Sequence, residues 1–170
     1  MPNKREIITI IQNIGLWDKK SIDSALEEME RTGNPLKEIF QTRGLLPYGE
    51  ISPTLFFQLG IILQELPARE IPKEIIELIN PSMAKKYQIV PWEIRENGNL
   101  VFVSEDPLNI LASDYFKKEL NWEKDIEFII TFSKEINQLI SKYYTMEGFI
   151  SSIISLGISL AGSSCKIIPS

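Results

Sequence analysis

The chain has 170 residues, 44% apolar and 24% charged, which suits one ordinary domain or two small ones with a core and not a disordered tail. It contains no histidine and one cysteine, which excludes Ser-His-Asp and Cys-His catalysis, histidine or thiolate zinc sites, iron–sulfur clusters and an internal disulfide. A net charge of −5 without a dense basic run weighs against DNA or RNA binding, so a binding or assembly module is expected, not an enzyme.

Lys4 and Arg5 open the chain, but Glu6 interrupts them and the following apolar run alternates with polar residues, which is not a secretory signal. With one cysteine in the whole chain, the cytoplasm is the expected compartment. Ile7, Ile8, Ile10, Ile11 and Ile14 then recur at helical spacing, and Gly15 stands where a left-handed C-terminal cap is wanted. Asp18 is placed to cap a second helix with Ile22, Ala25, Leu26 and Met29 on its inner face, ended by Thr32-Gly33-Asn34-Pro35.

A shift of 29 residues repeats this unit. Ile7 falls on Leu36, Ile10 on Ile39, Ile11 on Phe40, Gly15 on Gly44, Leu16 on Leu45, Ile22 on Ile51 and Leu26 on Leu55. The second copy predicts a helix through Leu36, Ile39 and Phe40, a stop at Gly44, and a further helix carrying Ile51, Leu55, Phe56, Leu59, Ile62 and Leu63. Neither hairpin can bury its stripe alone, so the two copies are expected to pack together over residues 4–66.

Leu66 to Pro72, with a proline near each end, marks a boundary, after which the grammar changes. Short helices are predicted over Lys73–Ile79 and from Pro81 to Tyr87. Strands follow at Ile89–Ile94 and Leu100–Val103, joined across Asn97-Gly98, whose residues tolerate positive φ. Asp106-Pro107 ends the second strand, Asn109–Leu120 reads as a helix, Ile126–Phe132 as a strand, and Ser133 as the cap of a helix through Tyr144. The fold class is α+β: a duplicated helical bundle (4–66), an α-β-β-α-β-α unit (67–145) and an apolar, serine-rich tail (146–170). Phe149–Ala161 is too short to span a membrane and reads as a linker or an amphipathic or peripheral segment, with a short membrane-seeking helix as the lesser alternative.

Several features carry no chemistry. Gly157 and Gly162 have P-loop spacing, but Ser163 stands where lysine is required. Glu27, Glu28 and Glu30 read as a solvated helix face, and Asp106 as a turn residue rather than a metal ligand. Cys165 lies in the tail without a neighbouring cation cluster. No catalytic or metal-binding residue is assigned. Trp17, Phe56 and Phe57, at the edges of the bundle, are the candidates for contact with a partner protein, with packing in the core or the turn the first alternative for Trp17.

Residues Leu78–Trp92 (LINPSMAKKYQIVPW), Leu100–Asn109 (LVFVSEDPLN) and the closing Lys142-Tyr143-Tyr144 resemble the N-terminal domain of type II secretion and type IV pilus assembly ATPases. An Ala, a Pro and an Asp-Pro pair recur in that family and correspond here to Ala84, Pro91, Asp106 and Pro107. The repeated helical unit is similar to the tandem motifs of the same family, whose spacing equals the shift found above.

The resemblance implies a non-catalytic docking or regulatory domain. It would bind the cytoplasmic part of an inner-membrane platform protein and belong with an ATPase motor absent from this chain. In some relatives the tandem motifs bind cyclic di-GMP through an Arg-Leu-Gly opening and a closing Gln. Here the first copy presents Glu6, Ile7, Ile8, Ile11, Gly15, Ile22, Leu26 and Met29, and the second Pro35, Leu36, Lys37, Phe40, Gly44, Ile51, Leu55 and Gln58. The apolar skeleton is kept. The arginine positions hold Glu6 and Pro35, the glycine positions Ile8 and Lys37, so no cofactor and no cyclic di-GMP binding are expected.

Overall fold

A computed structural model describes residues 2–145. The readings made on residues 146–170, including the tail segment, the P-loop-like glycines and Cys165, lie outside the described residues.

The first helix, α1 (Lys4–Ile14), starts from a reciprocal cap. Asn3 Oδ1 accepts from the Glu6 amide at 2.9 Å, and the Glu6 carboxylate accepts from Asn3 Nδ2 at 3.1 Å. Gly15 ends it at φ 68°, and the Leu16 amide turns back to Ile11 O at 3.1 Å. Asp18 caps α2 (Lys19–Thr32) by accepting from the Ser21 amide at 2.7 Å, a bond that holds its carboxyl below the ordinary range. Helix α3 (Leu36–Thr42) then repeats the stop: Gly44 sits at φ 76° and the Leu45 amide reaches Phe40 O at 2.8 Å.

Gly44 gives the first expected result. A Cβ there would meet nothing within 4 Å, so substitution acts through the backbone alone. Gly44→Ala is expected to cost about 1 kcal/mol in urea unfolding, and Gly44→Asn less, because asparagine tolerates the left-handed region.

The second copy departs from the first in its second helix. The predicted helix through Ile51 to Leu63 is only α4 (Pro53–Gln58). Pro53 cannot sit inside a helix and instead opens one, with Ser52 accepting from the Thr54 amide. Gly60, at φ 70°, closes it, with the Ile61 amide bonded to Phe56 O at 3.0 Å. Ile62, expected on the inner face, therefore lies beyond the stop and is 75% exposed.

The two copies pack on one another. Helix α2 lies on α3, Arg43 reaches back to Ser24 and Glu28, and the Trp17 ring stands edge-on to Phe40 with centroids 4.7 Å apart. Glu28, expected on a solvated face, is thus half-buried and ion-paired.

The remaining chain follows the predicted order with shifted bounds. Helix α5 is Lys73–Ile76, shorter than expected, and α6 is Pro81–Tyr87. Strands β1 (Ile89–Ile94) and β2 (Leu100–Ser104) pair antiparallel, and Gly98 takes φ 92° in the turn between them. Pro91, which offers no amide, lies on this edge strand beside a register shift.

The predicted helix over Asn109–Leu120 is broken. A 3-10 turn at Pro107–Ile110 precedes α7 (Ser113–Glu119). Asp106 caps the turn through the Leu108 amide at 2.9 Å. The Asn109 side chain points inward to Tyr87 O and Ser104 Oγ, both at 2.9 Å. Strand β3 (Ile126–Ile130) pairs parallel to β2 and ends two residues early. Helix α8 (Ser133–Tyr143) begins at Ser133, but Phe132 holds the cap position and no side chain caps it.

The result is helices around a three-stranded sheet of order β1-β2-β3, an α+β fold. Phe102 of β2, Phe128 of β3 and Phe116 of α7 fill the centre of the sheet face. The apolar core runs on from there without interruption into Phe40 and Ile7 of the repeated unit. A polar latch crosses between them: Tyr87 donates to Gly33 O at the end of α2, and the Tyr115 hydroxyl lies 3.0 Å from that of Tyr87. Burial pushes the Tyr87 hydroxyl far above its ordinary pKa, so the latch stays protonated.

Candidate interaction surface

The tandem-motif positions separate by burial. Ile7, Ile11, Ile22, Met29, Leu36, Phe40 and Leu55 are core residues. Ile8, Leu26, Pro35, Lys37 and Ile51 are half-buried, and Glu6, Gly15, Gly44 and Gln58 are exposed. The polar positions already have work to do. Glu6 completes the α1 cap, Pro35 occupies the cap position of α3, and the Lys37 cation lies close enough to the buried Asp106 carboxyl to oppose the rise in its pKa. Met29, at a closing Gln position, is fully buried.

Trp17, Phe56 and Phe57 fall in different places. Trp17 is 6% exposed, and its indole Nε1 donates to Leu45 O at 3.0 Å, so it holds the two copies together. Phe56 is half-buried. Phe57, on the outer side of α4, is 85% exposed. Tyr48 and Ile62 are also strongly exposed, and Ile14 is about half exposed. Scattered apolar residues on a surface are ordinary, and Tyr48, Phe57 and Ile62 all fall in the second copy. Tyr48 is not singled out by the sequence, and Ile62 is expected there on the second helix of the second copy. The signals that place Ile62 outside are Pro53 and Gly60, which confine α4.

A second feature is a cleft of about 790 Å³ between the start of α1 and the β3–α7 side of the sheet. Its charges are largely paired: Lys4 with Asp114 at 2.8 Å and Lys117 with Asp125 at 3.4 Å. Among the described residues no group of three or more His, Cys, Asp or Glu is arranged to hold a metal ion. The Asp106 carboxyl, pushed up to about 6 chiefly by burial, is 7% exposed and engaged in its turn, where no solute reaches it. None of the described helices is long and apolar enough to cross a membrane.

The chain thus combines a duplicated helical unit with an exposed apolar edge and a small α+β layer. The chain belongs to the MshEN domain family, the N-terminal domains of type II secretion and type IV pilus assembly ATPases; the family model matches residues 59–149, over half of the chain. A curated relative is the type IV pilus assembly ATPase PilB of Thermus thermophilus, 31% identical over 99 residues. That match covers 58% of this chain and 11% of PilB, so the chain spans a small part of that relative. Among solved structures, MshE with cdg is similar at 18% identity and a TM-score of 0.44, covering 81% of this chain and 98% of that one. The N-terminal domain of XpsE is similar at 17% identity and 0.44, covering 85% and 98%. The family match falls on the N-terminal region of these ATPases and not on their catalytic domain.

Proposed function

We propose that this chain is a non-catalytic docking and regulatory domain of a type II secretion or type IV pilus assembly ATPase, acting in the cytoplasm. Its partner is the cytoplasmic part of an inner-membrane platform protein. The observation that carries this reading is Phe57, a large aromatic side chain 85% exposed on α4. Tyr48 and Ile62 extend the same apolar edge. Aromatic anchors of this kind supply most of the energy of protein interfaces when a partner pocket takes them up.

A pull-down with the platform's cytoplasmic domain tests the reading. The native chain is expected to be retained, and Phe57→Asp to lose at least tenfold in affinity while its unfolding curve is unchanged. Equal retention of both would overturn the assignment of the surface.

Cyclic di-GMP is not a ligand in this reading. The bis-phosphate would meet the Glu6 carboxylate where an arginine is needed, and half-buried Ile8 and Lys37 where glycine would allow close approach. Calorimetric titration is expected to show no heat at micromolar concentrations; low-micromolar binding would contradict this.

A further inference from the structure

Strand β3 is an edge of the sheet, and its first half, with the preceding Asp125, lines the cleft described above. The ladder fixes which of its backbone groups face outward. The Leu100 amide donates to Asp125 O and the Thr131 amide to Ser104 O, so alternate residues from Asp125 to Thr131 bond to β2. Ile126, Phe128 and Ile130 therefore direct their N–H and C=O groups away from the sheet. At Ile130 the outer carbonyl accepts from the Gln64 amide at 2.9 Å. At Ile126 and Phe128 no protein group among the described residues pairs with the two donors and two acceptors. These residues are only 8% and 5% exposed, and backbone groups so placed nearly always have a partner.

The opposite edge of the sheet is closed to an added strand. On β1, Pro91 offers no amide, the register shifts beside it, and the Arg69 guanidinium donates to Trp92 O at 2.7 Å. Strand β3 contains no proline, and its register against β2 runs without a shift.

Charge in the cleft selects the kind of strand that fits. Each carboxylate on its wall is already engaged: Asp114 with Lys4, Asp125 with Lys117, and Glu127 with Arg95 and Asn99. Arg5 and Lys19 line the same cleft and are exposed. Neither side chain has an ion pair or hydrogen bond among the described residues. The charge left unanswered is positive.

We propose that the Ile126–Phe128 edge takes up an extended acidic segment of a partner protein as an added strand, with its carboxylates beside Arg5 and Lys19. This edge shares no residue with the Phe57 surface, so neither assignment depends on the other.

Deuterium exchange of the full chain, read amide by amide, tests this. Without a partner, the Ile126 and Phe128 amides are expected to exchange faster than those of Glu127 and Ile129, which face β2. A blocked peptide of about seven alternating glutamate and valine residues is expected to slow Ile126 and Phe128 about tenfold at saturation. Methylating the peptide nitrogens on its β3-facing side is expected to abolish that protection, and so is replacing its glutamates by lysine. In Arg5→Gln/Lys19→Gln the glutamate peptide is expected to bind about fivefold more weakly, with an unchanged unfolding curve. Absence of protection by the glutamate peptide overturns the proposal. So does equal protection by the lysine or the methylated peptide, or an unchanged affinity in the double variant. Protection that rises with chain concentration in the absence of peptide would place a second copy on this edge and likewise overturn it.

Discussion

Replacing Trp17 by alanine is expected to destabilise the chain by about 3–5 kcal/mol in urea unfolding, a large part of the stability of a domain this size. Trp17 follows the Gly15 stop of the first copy, yet its ring stands at 89° to Phe40 of the second copy. Its indole also donates to Leu45 O, just past the second stop. Truncation opens a cavity at the junction and removes the donor from a part-buried carbonyl, and the two losses add. Trp17→Phe keeps an aromatic filling and loses the hydrogen bond, so about 1–2 kcal/mol is expected for it. A loss below 1 kcal/mol for the alanine variant would mean that the copies are held together elsewhere.

The second large effect is expected at Asp106, and its sign is opposite. Its carboxyl is raised from 3.8 to about 6, first by burial, with the Leu108 amide and Lys37 pulling it down and Glu105 pushing it up. Between these two values the folded chain binds the proton more tightly than the unfolded chain. Stability from this group is therefore highest below pH 3.8, falls as pH rises through that window, and reaches its low plateau above about 6. Asp106→Asn keeps an oxygen for the Leu108 amide and removes the charge. The variant is expected to be more stable than the native chain by about 3 kcal/mol at pH 7 and by less than about 1 kcal/mol at pH 4. Urea midpoints measured across pH 4–7 check this, and a difference that does not change with pH would show that Asp106 does not titrate in this range.

The features legible in the sequence are those fixed by local chemistry. Gly15 and Gly44 end their helices in the left-handed region, Asp18 caps α2, and Asn97-Gly98 makes the hairpin, because each depends on a few neighbouring backbone groups. The α4 region was harder to read. Its apolar residues fit a helical stripe over Ile51–Leu63, but Pro53 and Gly60 restrict where a helix can run, and periodicity alone ignores both. Asn109 is a similar case. A side chain bonded to Tyr87 O and Ser104 Oγ depends on contacts distant in sequence, and it turns a predicted helix into a tight turn.

Burial at the candidate surface follows the same division. Trp17 and Phe57 are both aromatic residues at the edge of a helical unit, and nothing in their neighbours says which faces inward. Packing decides it. Phe40 and Leu45 receive Trp17, whereas α4 directs Leu55 inward and leaves Phe57 outside. Asp106, the described carboxyl with the largest upward shift, belongs to the core.

The most direct test of the docking surface places a photo-activated phenylalanine analogue at position 57 of the full chain, with a second version carrying it at position 93, on β1. Irradiation with the platform's cytoplasmic domain is expected to give a cross-linked product from position 57 and none from position 93. Cross-linking from 93 with none from 57 would contradict the account and move the docking surface to the sheet.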